Sequence, residues 1–449
     1  MSQRVIVEAL GALIEIDATA RSAASFAAIR AAWAAGTSHR SPADATVAVS
    51  AEHRDDVMLS VLSTDVTLAA LAHRRGELWM LHAAGLADEQ GRTVALVAPS
   101  GTGKTTAARV LSRDLAYVSD ESVGVDPRGG VVAYRKPLSI IETDDAPKTQ
   151  VSTATLPGVP WHPTSLRLAK IAVLDRDPEG PDEPVIMPLD LAEALALLGP
   201  QTSYFCDLPG GLRAAAALLE ATGGAVRIRY REAETLRPVM RELLKSDPAH
   251  GAKPAERRAL RDFTGSAPND GRIRYHHAAM VDELLVDGGA IAVLRRGGEG
   301  GELRVLDGVG PAIWEAAHGA DFEEIHANVV AVHGAPDGID TRAVLADTLS
   351  ELLRDGTLAN EPSWCLADGV HWVTEQDRTT VFTPDGGNPA VVFEGVPHTI
   401  WQALAAEIAI PQSVLVRRVA KNADAVDDVR DGTVAILAKM NRQGLVGLT

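Results

Sequence analysis

Apolar positions along the chain follow two periods. Near the N-terminus, Arg4–Ile16 alternates in the manner of one or two strands, and Ala23–Ala35 reads as an alanine-rich helix. Val47–Ala51 and Val57–Leu62 read as short strands. Asp65–Arg75 reads as a helix with Leu68, Leu71 and Ala72 on one face, stopped by Gly76. Further on, the pattern changes to continuous apolar runs separated by helix-period segments. Thr93–Val97, Leu115–Val125 and Leu168–Asp175 read as buried strands, the second interrupted by Asp120 and Glu121. Helices are expected at Thr106–Leu111, Leu189–Leu198, Leu212–Thr222 and Ala233–Lys245, with a strand at Val226–Tyr230. Strands alternating with helices predict an α/β domain over residues 1–245. Ser246–Asp270 is rich in Pro, Ala, Gly and charge and lacks alternation, so it reads as a linker.

Beyond the linker the pattern repeats. Leu306-Asp307-Gly308-Val309, followed three residues later by Ile313-Trp314, returns as Phe393-Glu394-Gly395-Val396 and Ile400-Trp401, 87 positions on. A second match joins Val344–Leu358 to Val434–Val446. In each copy three short strands precede the tryptophan: Glu283–Leu285, Ile291–Leu294 and Leu303–Leu306, then His371–Thr374, Thr379–Phe382 and Ala390–Phe393. Helices follow. Two small α+β, winged-helix-like domains are expected, at 271–360 and 361–449. Trp314 and Trp401 read as core residues joining helix to sheet.

Charge narrows the partners. The 449 residues carry 43 Lys and Arg against 60 Asp and Glu, a formal net charge of −17. Residues 271–360 hold 7 basic and 15 acidic residues, and residues 361–449 hold 7 and 11. A DNA-reading winged helix must neutralise phosphates with Lys and Arg, so nucleic acid is not the expected partner. Cys206 and Cys365 are the two cysteines, which argues against a disulfide framework or a cysteine zinc site and for a reducing cytoplasm. Glu8, Glu15 and Asp17 exclude a signal peptide reading. No uninterrupted apolar run approaches the ~18 residues of a membrane helix. The expectation is a cytoplasmic protein with no membrane partner.

The chemistry concentrates between the first two apolar runs. Ala98-Pro99-Ser100-Gly101-Thr102-Gly103-Lys104-Thr105-Thr106 lies between a predicted strand and a predicted helix. It is a P-loop pattern in which Ala98 replaces the usual first glycine. Such a loop turns backbone N–H groups onto nucleotide phosphates, with Ser100, Gly101, Thr102, Gly103, Lys104, Thr105 and Thr106 as the binding stretch. Lys104 supplies positive charge and Thr105 a hydroxyl for Mg²⁺. One helix later come Asp120 and Glu121. A site that phosphorylates a hydroxyl needs an acid for Mg²⁺ and a base near the acceptor, and these two could divide those roles.

His82-Ala83-Ala84, the loop Ser100–Thr106 and Ser119-Asp120-Glu121 together resemble the catalytic core of HPr serine kinase and its relatives, which share a nucleotide fold with phosphoenolpyruvate carboxykinase. The resemblance covers residues 1–245 and is strongest from His82 to Pro137. It implies an ATP-dependent kinase of hydroxyl groups, with Asp120 as base towards the acceptor, Glu121 as a Mg²⁺ ligand and His82 as partner of the acidic site. Two departures stand out. Glu121 replaces the usual aspartate, and Tyr134–Ser139 lacks the Arg-Gly-Leu-Gly-type signature of the regulatory HPr kinases. Arg135 and Lys136 in that zone read equally as phosphate contacts or as solvated strand-end charges.

Asp282-Glu283, Val305–Val309, Ile313-Trp314 and Leu352–Leu358 resemble PqqD-type peptide-recognition domains, with 361–449 as a more degenerate copy. That resemblance implies binding of the leader of a ribosomally made precursor peptide by strand addition. Together the two resemblances imply a Ser/Thr kinase that uses ATP and Mg²⁺ on a peptide held at residues 271–449. Two alternatives stay open. One is a kinase of a protein or small molecule whose repeats build a homo-oligomer. The other is a non-catalytic, nucleotide-binding adaptor that brings peptide to another enzyme.

Overall fold

The computed structural model describes residues 3–99, 101–140, 149–156, 165–245, 272–296, 301–367, 369–382, 390–407, 409–420 and 426–448. The chain is a mixed α/β protein with several sheets, some parallel strands and multiple small antiparallel sheets. It divides into two compact units. One comprises Met1–Ala255 and Gly298–Gly301, the other Glu256–Gly297 and Glu302–Thr449. The proposed linker, 246–270, lies outside the described residues.

The first unit begins with a four-stranded sheet ordered Thr37–Ser38, Arg4–Ala9, Ala12–Asp17, Ala45–Ala48. Arg4–Ala9 and Ala12–Asp17 form a hairpin, closed through Leu10 and Gly11 at φ 50° and 77°. The helix expected at Ala23–Ala35 runs Ala23–Ala32. Asp55–His73 is a single helix of 19 residues, so the strand expected at Val57–Leu62 is absent. Met58, Leu62, Val66 and Ala70 recur at four-residue spacing and are buried in the core with Ile14, Ile16 and Ile29. That phase, rather than one through Leu68, sets the packed face; Leu68 is exposed. By length and composition this helix could also cross a membrane, and here its buried face is part of the unit's core.

The centre of the unit is a six-stranded sheet. Its order is Val185–Pro188, Ala225–Tyr230, Arg167–Arg176, Arg92–Val97, Ala83–Ala87, Ala116–Ser119. The middle three strands are parallel and the outer ones antiparallel. The parallel strands read as apolar runs because both faces are covered. Helices Lys104–Leu111 and Leu236–Lys245 bury Ala107, Leu111, Leu236 and Met240 among Leu96, Leu174 and Ile228. A second, antiparallel sheet runs Val131–Val132, Val123–Val125, Trp79–Leu81, Thr202–Ser203.

Two segments pass from one sheet to the other at the same place. Trp79–Leu81 belongs to the second sheet and Ala83–Ala87 to the first, with His82 between them. Beside it, Ala116–Ser119 belongs to the first sheet and Val123–Val125 to the second, with Asp120, Glu121 and Ser122 between. Gly85 pairs with Ser119 on one side of the switch and Leu81 with Val123 on the other. The interruption of the apolar run by two acids is therefore a change of sheet.

In the second unit both copies have the same order of elements. The first runs Tyr275–His277, Met280–Leu285, Ile291–Arg295, Glu302–Leu306, helix Gly310–Ala316, His318–Ala320, helices Phe322–His333 and Thr341–Arg354, and Leu358–Ala359. The second runs Ser363–Leu366, His371–Glu375, Arg378–Phe382, Val391–Glu394, helix Val396–Ala406, Ile410–Pro411, helices Gln412–Val419 and Val426–Arg442, and Val446–Leu448. Each copy holds two three-stranded sheets of matching order: one from its second, third and fourth strands, the other from its first, fifth and sixth. The latter sheet joins the two ends of each copy and was not expected from sequence. Trp314 and Trp401 are almost fully buried core residues, as expected.

Candidate active site

The P-loop follows the buried strand Arg92–Val97. Gly101 and Gly103 take φ of 81° and 97°, the left-handed region that L side chains avoid. Ala98 is not among the positive-φ residues and is fully buried in the core. The position that departs from the pattern thus makes no demand that only glycine meets, and its methyl group is packed. Ser100 lies outside the described residues. Gly103 caps the helix that starts at Lys104. The Lys104 ammonium folds back onto the loop, donating to the Ala98 carbonyl and, at 3.0 Å, to the Pro99 carbonyl. Burial lowers the Lys104 pKa to about 8, against the opposing pull of Glu121 and Asp120.

Around the loop lies a cavity of about 340 Å³. Gly101, Gly103, Lys104, Thr105, Thr106 and Arg109 line it from the loop and its helix. His82, Asp120 and Glu121 line it from the sheet switch, Lys136 from the segment between Val131–Val132 and Leu138–Ile140, and Ser139 and Ile140 from the latter strand. Of the expected site residues within the described chain, all but Thr102 therefore line one cavity.

The two carboxylates have different surroundings. Asp120 is 4% exposed. Its Oδ2 accepts from Thr105 Oγ1 at 3.1 Å and its Oδ1 from the Tyr117 hydroxyl at 2.7 Å. Burial raises its pKa, while Lys136 and the Tyr117 hydrogen bond act the other way. The Glu121 side chain is 32% exposed. Its Oε2 accepts from Lys136 Nζ and lies 3.5 Å from Thr67 Oγ1, which itself bonds the Tyr134 hydroxyl at 2.8 Å. The Glu121 carbonyl accepts from the Ala83 N–H at 3.1 Å. His82 sits against that carbonyl, with its pKa lowered by burial and by Lys104, and raised in part by Glu121.

Lys136 is 3% exposed, bonded to Glu121 and 4.0 Å from Asp120 Oδ1. It is a buried counter-charge to both acids, which excludes the solvated strand-end reading. The sequence held a signal for this. Asp126-Pro127-Arg128-Gly129-Gly130 is a turn, and Val125 pairs with Val131 and Gly124 with Val132. Extending that register brings Arg135 across from Glu121 and Lys136 across from Asp120. Tyr117, three residues before Asp120, and Arg109, on the second turn of the P-loop helix, were also passed over. Arg109 makes no ion pair among the described residues.

Thr105 and Asp120 place a hydroxyl and a carboxylate side by side at the loop. Hard oxygen donors of this kind suit Mg²⁺, which completes its shell from phosphates and water rather than from an all-protein cage. The described residues contain no group of three or more His, Cys, Asp or Glu that could hold a metal ion. No protein-family model matches this chain, and no curated protein matches it.

Proposed function

We propose that the protein is an ATP-dependent kinase of the HPr-kinase-like class that phosphorylates a Ser or Thr hydroxyl of a ribosomally made precursor peptide. The observation that carries the reading is the hydrogen bond from Thr105 to Asp120 across a cavity that also holds Lys104, Glu121 and His82. In P-loop phosphotransferases, the loop hydroxyl and an acid at a strand end hold the metal together. Here Thr105 and Asp120 fit Mg²⁺ by donor type. When bound, Mg²⁺ would offset charge on the β- and γ-phosphates.

The chain's own groups account for the rest. N–H groups at Gly101–Thr106 receive the phosphates. Lys104 exchanges the Ala98 and Pro99 carbonyls for phosphate oxygens. A carboxylate of the acidic pair accepts the proton of the acceptor hydroxyl as its oxygen bonds to the γ-phosphorus, and ADP departs with the electrons of the broken bond. The chemistry is that of the cytoplasm, where ATP is present.

The repeated modules supply the tether. In the winged-helix-like, PqqD-like reading, a leader peptide adds a strand to a small sheet. Strand His371–Glu375 is exposed at all five residues and pairs on one side, with Arg378–Phe382, among the described residues. Val373, Phe382 and Val392 are exposed on its sheet and offer apolar contacts. Holding the leader raises the local concentration of the acceptor. The test is incubation of the full chain with ATP, Mg²⁺ and short peptides encoded beside its gene. Gain of one phosphate on a Ser or Thr, with none from Asp120→Asn, is expected. ATP turnover with no transfer to any peptide would favour a small-molecule acceptor. Nucleotide binding without turnover would favour the adaptor.

A further inference from the structure

The structure assigns the two acids of the site opposite duties to those the resemblance implies: Asp120 serves the metal side and Glu121 the acceptor side. This rests on the kinase reading above and concerns which group does what within it.

The first observation is which oxygens are free. Both oxygens of Asp120 are committed, Oδ2 to Thr105 and Oδ1 to Tyr117. At 4% exposure, with each oxygen already accepting one hydroxyl hydrogen, Asp120 offers little open surface to a peptide hydroxyl, while its remaining lone pairs can meet a small cation beside Thr105. Glu121 uses Oε2 for Lys136 and Thr67. Its Oε1 has no hydrogen-bond partner among the described residues, and the side chain is 32% exposed on the cavity.

The second observation is neighbourhood. Asp120 touches Thr105, the loop hydroxyl that ligates metal in P-loop enzymes. Glu121 lies instead with His82 and Lys136. The longer Glu side chain at this position carries its carboxylate further from the strand than Asp would.

In the step, the acceptor O–H bond breaks and its proton passes to Glu121 Oε1. The acceptor oxygen forms the new P–O bond, and the bond from the γ-phosphorus to the bridging oxygen breaks towards ADP. Lys136 holds the other oxygen, Oε2, and so orients the Glu121 carboxylate. Asp120 stays a carboxylate throughout.

Two measurements separate the duties, and neither needs the natural acceptor. Calorimetry of ADP binding with and without Mg²⁺ reads the metal side. Slow ATP hydrolysis, with water as acceptor, reads the acceptor side. D120N should weaken the Mg²⁺-dependent gain in ADP affinity by about 10–100-fold, the usual cost of disturbing a metal's immediate support. E121Q should leave that gain unchanged and reduce hydrolysis by about 10²–10⁴-fold, the range of a lost general base. Loss of the Mg²⁺ gain in E121Q, or its survival in D120N, overturns the assignment while leaving the kinase reading intact. Absence of ADP binding by the wild type overturns both. If D120N fails to fold, E121Q decides alone, because Lys136 keeps Asp120 as a counter-charge at 4.0 Å when Glu121 is neutralised.

Discussion

Lys136→Met puts the electrostatics of the site to a quantitative test. The substitution keeps an unbranched apolar stem and removes the charge. Lys136 is 3% exposed, ion-paired to Glu121 and 4.0 Å from Asp120. Removing one partner of a buried ion pair costs about 3–5 kcal/mol, because the charge left behind is uncompensated. Two features reduce that figure here. Glu121 is a third exposed and recovers some hydration, and Asp120 keeps its bonds from Thr105 and Tyr117. A loss of about 2–3 kcal/mol follows, or about 4–12 °C in Tm for a unit of this size.

The loss depends on pH in a defined direction. Burial holds the folded-state pKa of Asp120 above its unfolded value, so the ionised carboxylate opposes folding. That penalty is complete above the folded pKa and disappears as pH falls below the unfolded value. Lys136 counters it, so removing Lys136 pushes the folded pKa higher still and enlarges the penalty near neutrality. Urea unfolding followed by circular dichroism at about pH 7.5 and about pH 5 should show the Lys136→Met deficit shrinking at the lower pH. Adding Asp120→Asn should recover much of it. A deficit below about 0.5 kcal/mol, or one that neither pH nor Asp120→Asn alters, would refute the claim that Lys136 compensates a buried acid.

Three other outcomes are expected. Gly103→Ala, forced to φ 97° with the new methyl group in ordinary contact with Arg176 and Tyr230, should cost about 1–2 kcal/mol and abolish nucleotide binding, whereas Ala98→Gly should bind no better than wild type; fluorescent-nucleotide titration checks both. Lys104, at about 8 in the nucleotide-free protein, should take up protons when phosphate binds at about pH 8–9, because the anion favours the ammonium form. Calorimetry in two buffers of different ionisation enthalpy measures that uptake, and its absence would place Lys104 away from the phosphates. Val373→Asp, on the exposed strand of the second module, should weaken leader-peptide binding by fluorescence anisotropy while leaving Tm within about 1–2 °C of wild type.

What the sequence disclosed was local in origin. Gly101 and Gly103 are needed for left-handed backbone, and a strand before them and a helix after them are written in adjacent residues. The repeat was legible because each copy spells its own hairpins and its own tryptophan. What stayed hidden depends on residues distant in the chain. Val57–Leu62 has the composition of a strand, and only its packing against Ile14, Ile16 and Ile29 makes it the first half of a helix. His82 looks like a strand residue until Leu81 and Ala83 are seen to join different sheets. The burial of Lys136 requires the hairpin register to be carried past its last paired residues. The division between Asp120 and Glu121 is set by Thr105, Tyr117 and Lys136, and adjacency in sequence carries no trace of it.

The central claim is phosphoryl transfer to a tethered peptide hydroxyl. The most direct measurement is mass spectrometry of a neighbouring-gene precursor peptide after incubation with the full chain, ATP and Mg²⁺. A gain of one phosphate on Ser or Thr is expected, absent with Asp120→Asn and much slower when the leader is removed from the peptide. ATP bound by the wild type with no phosphate gained by any such peptide would contradict the claim.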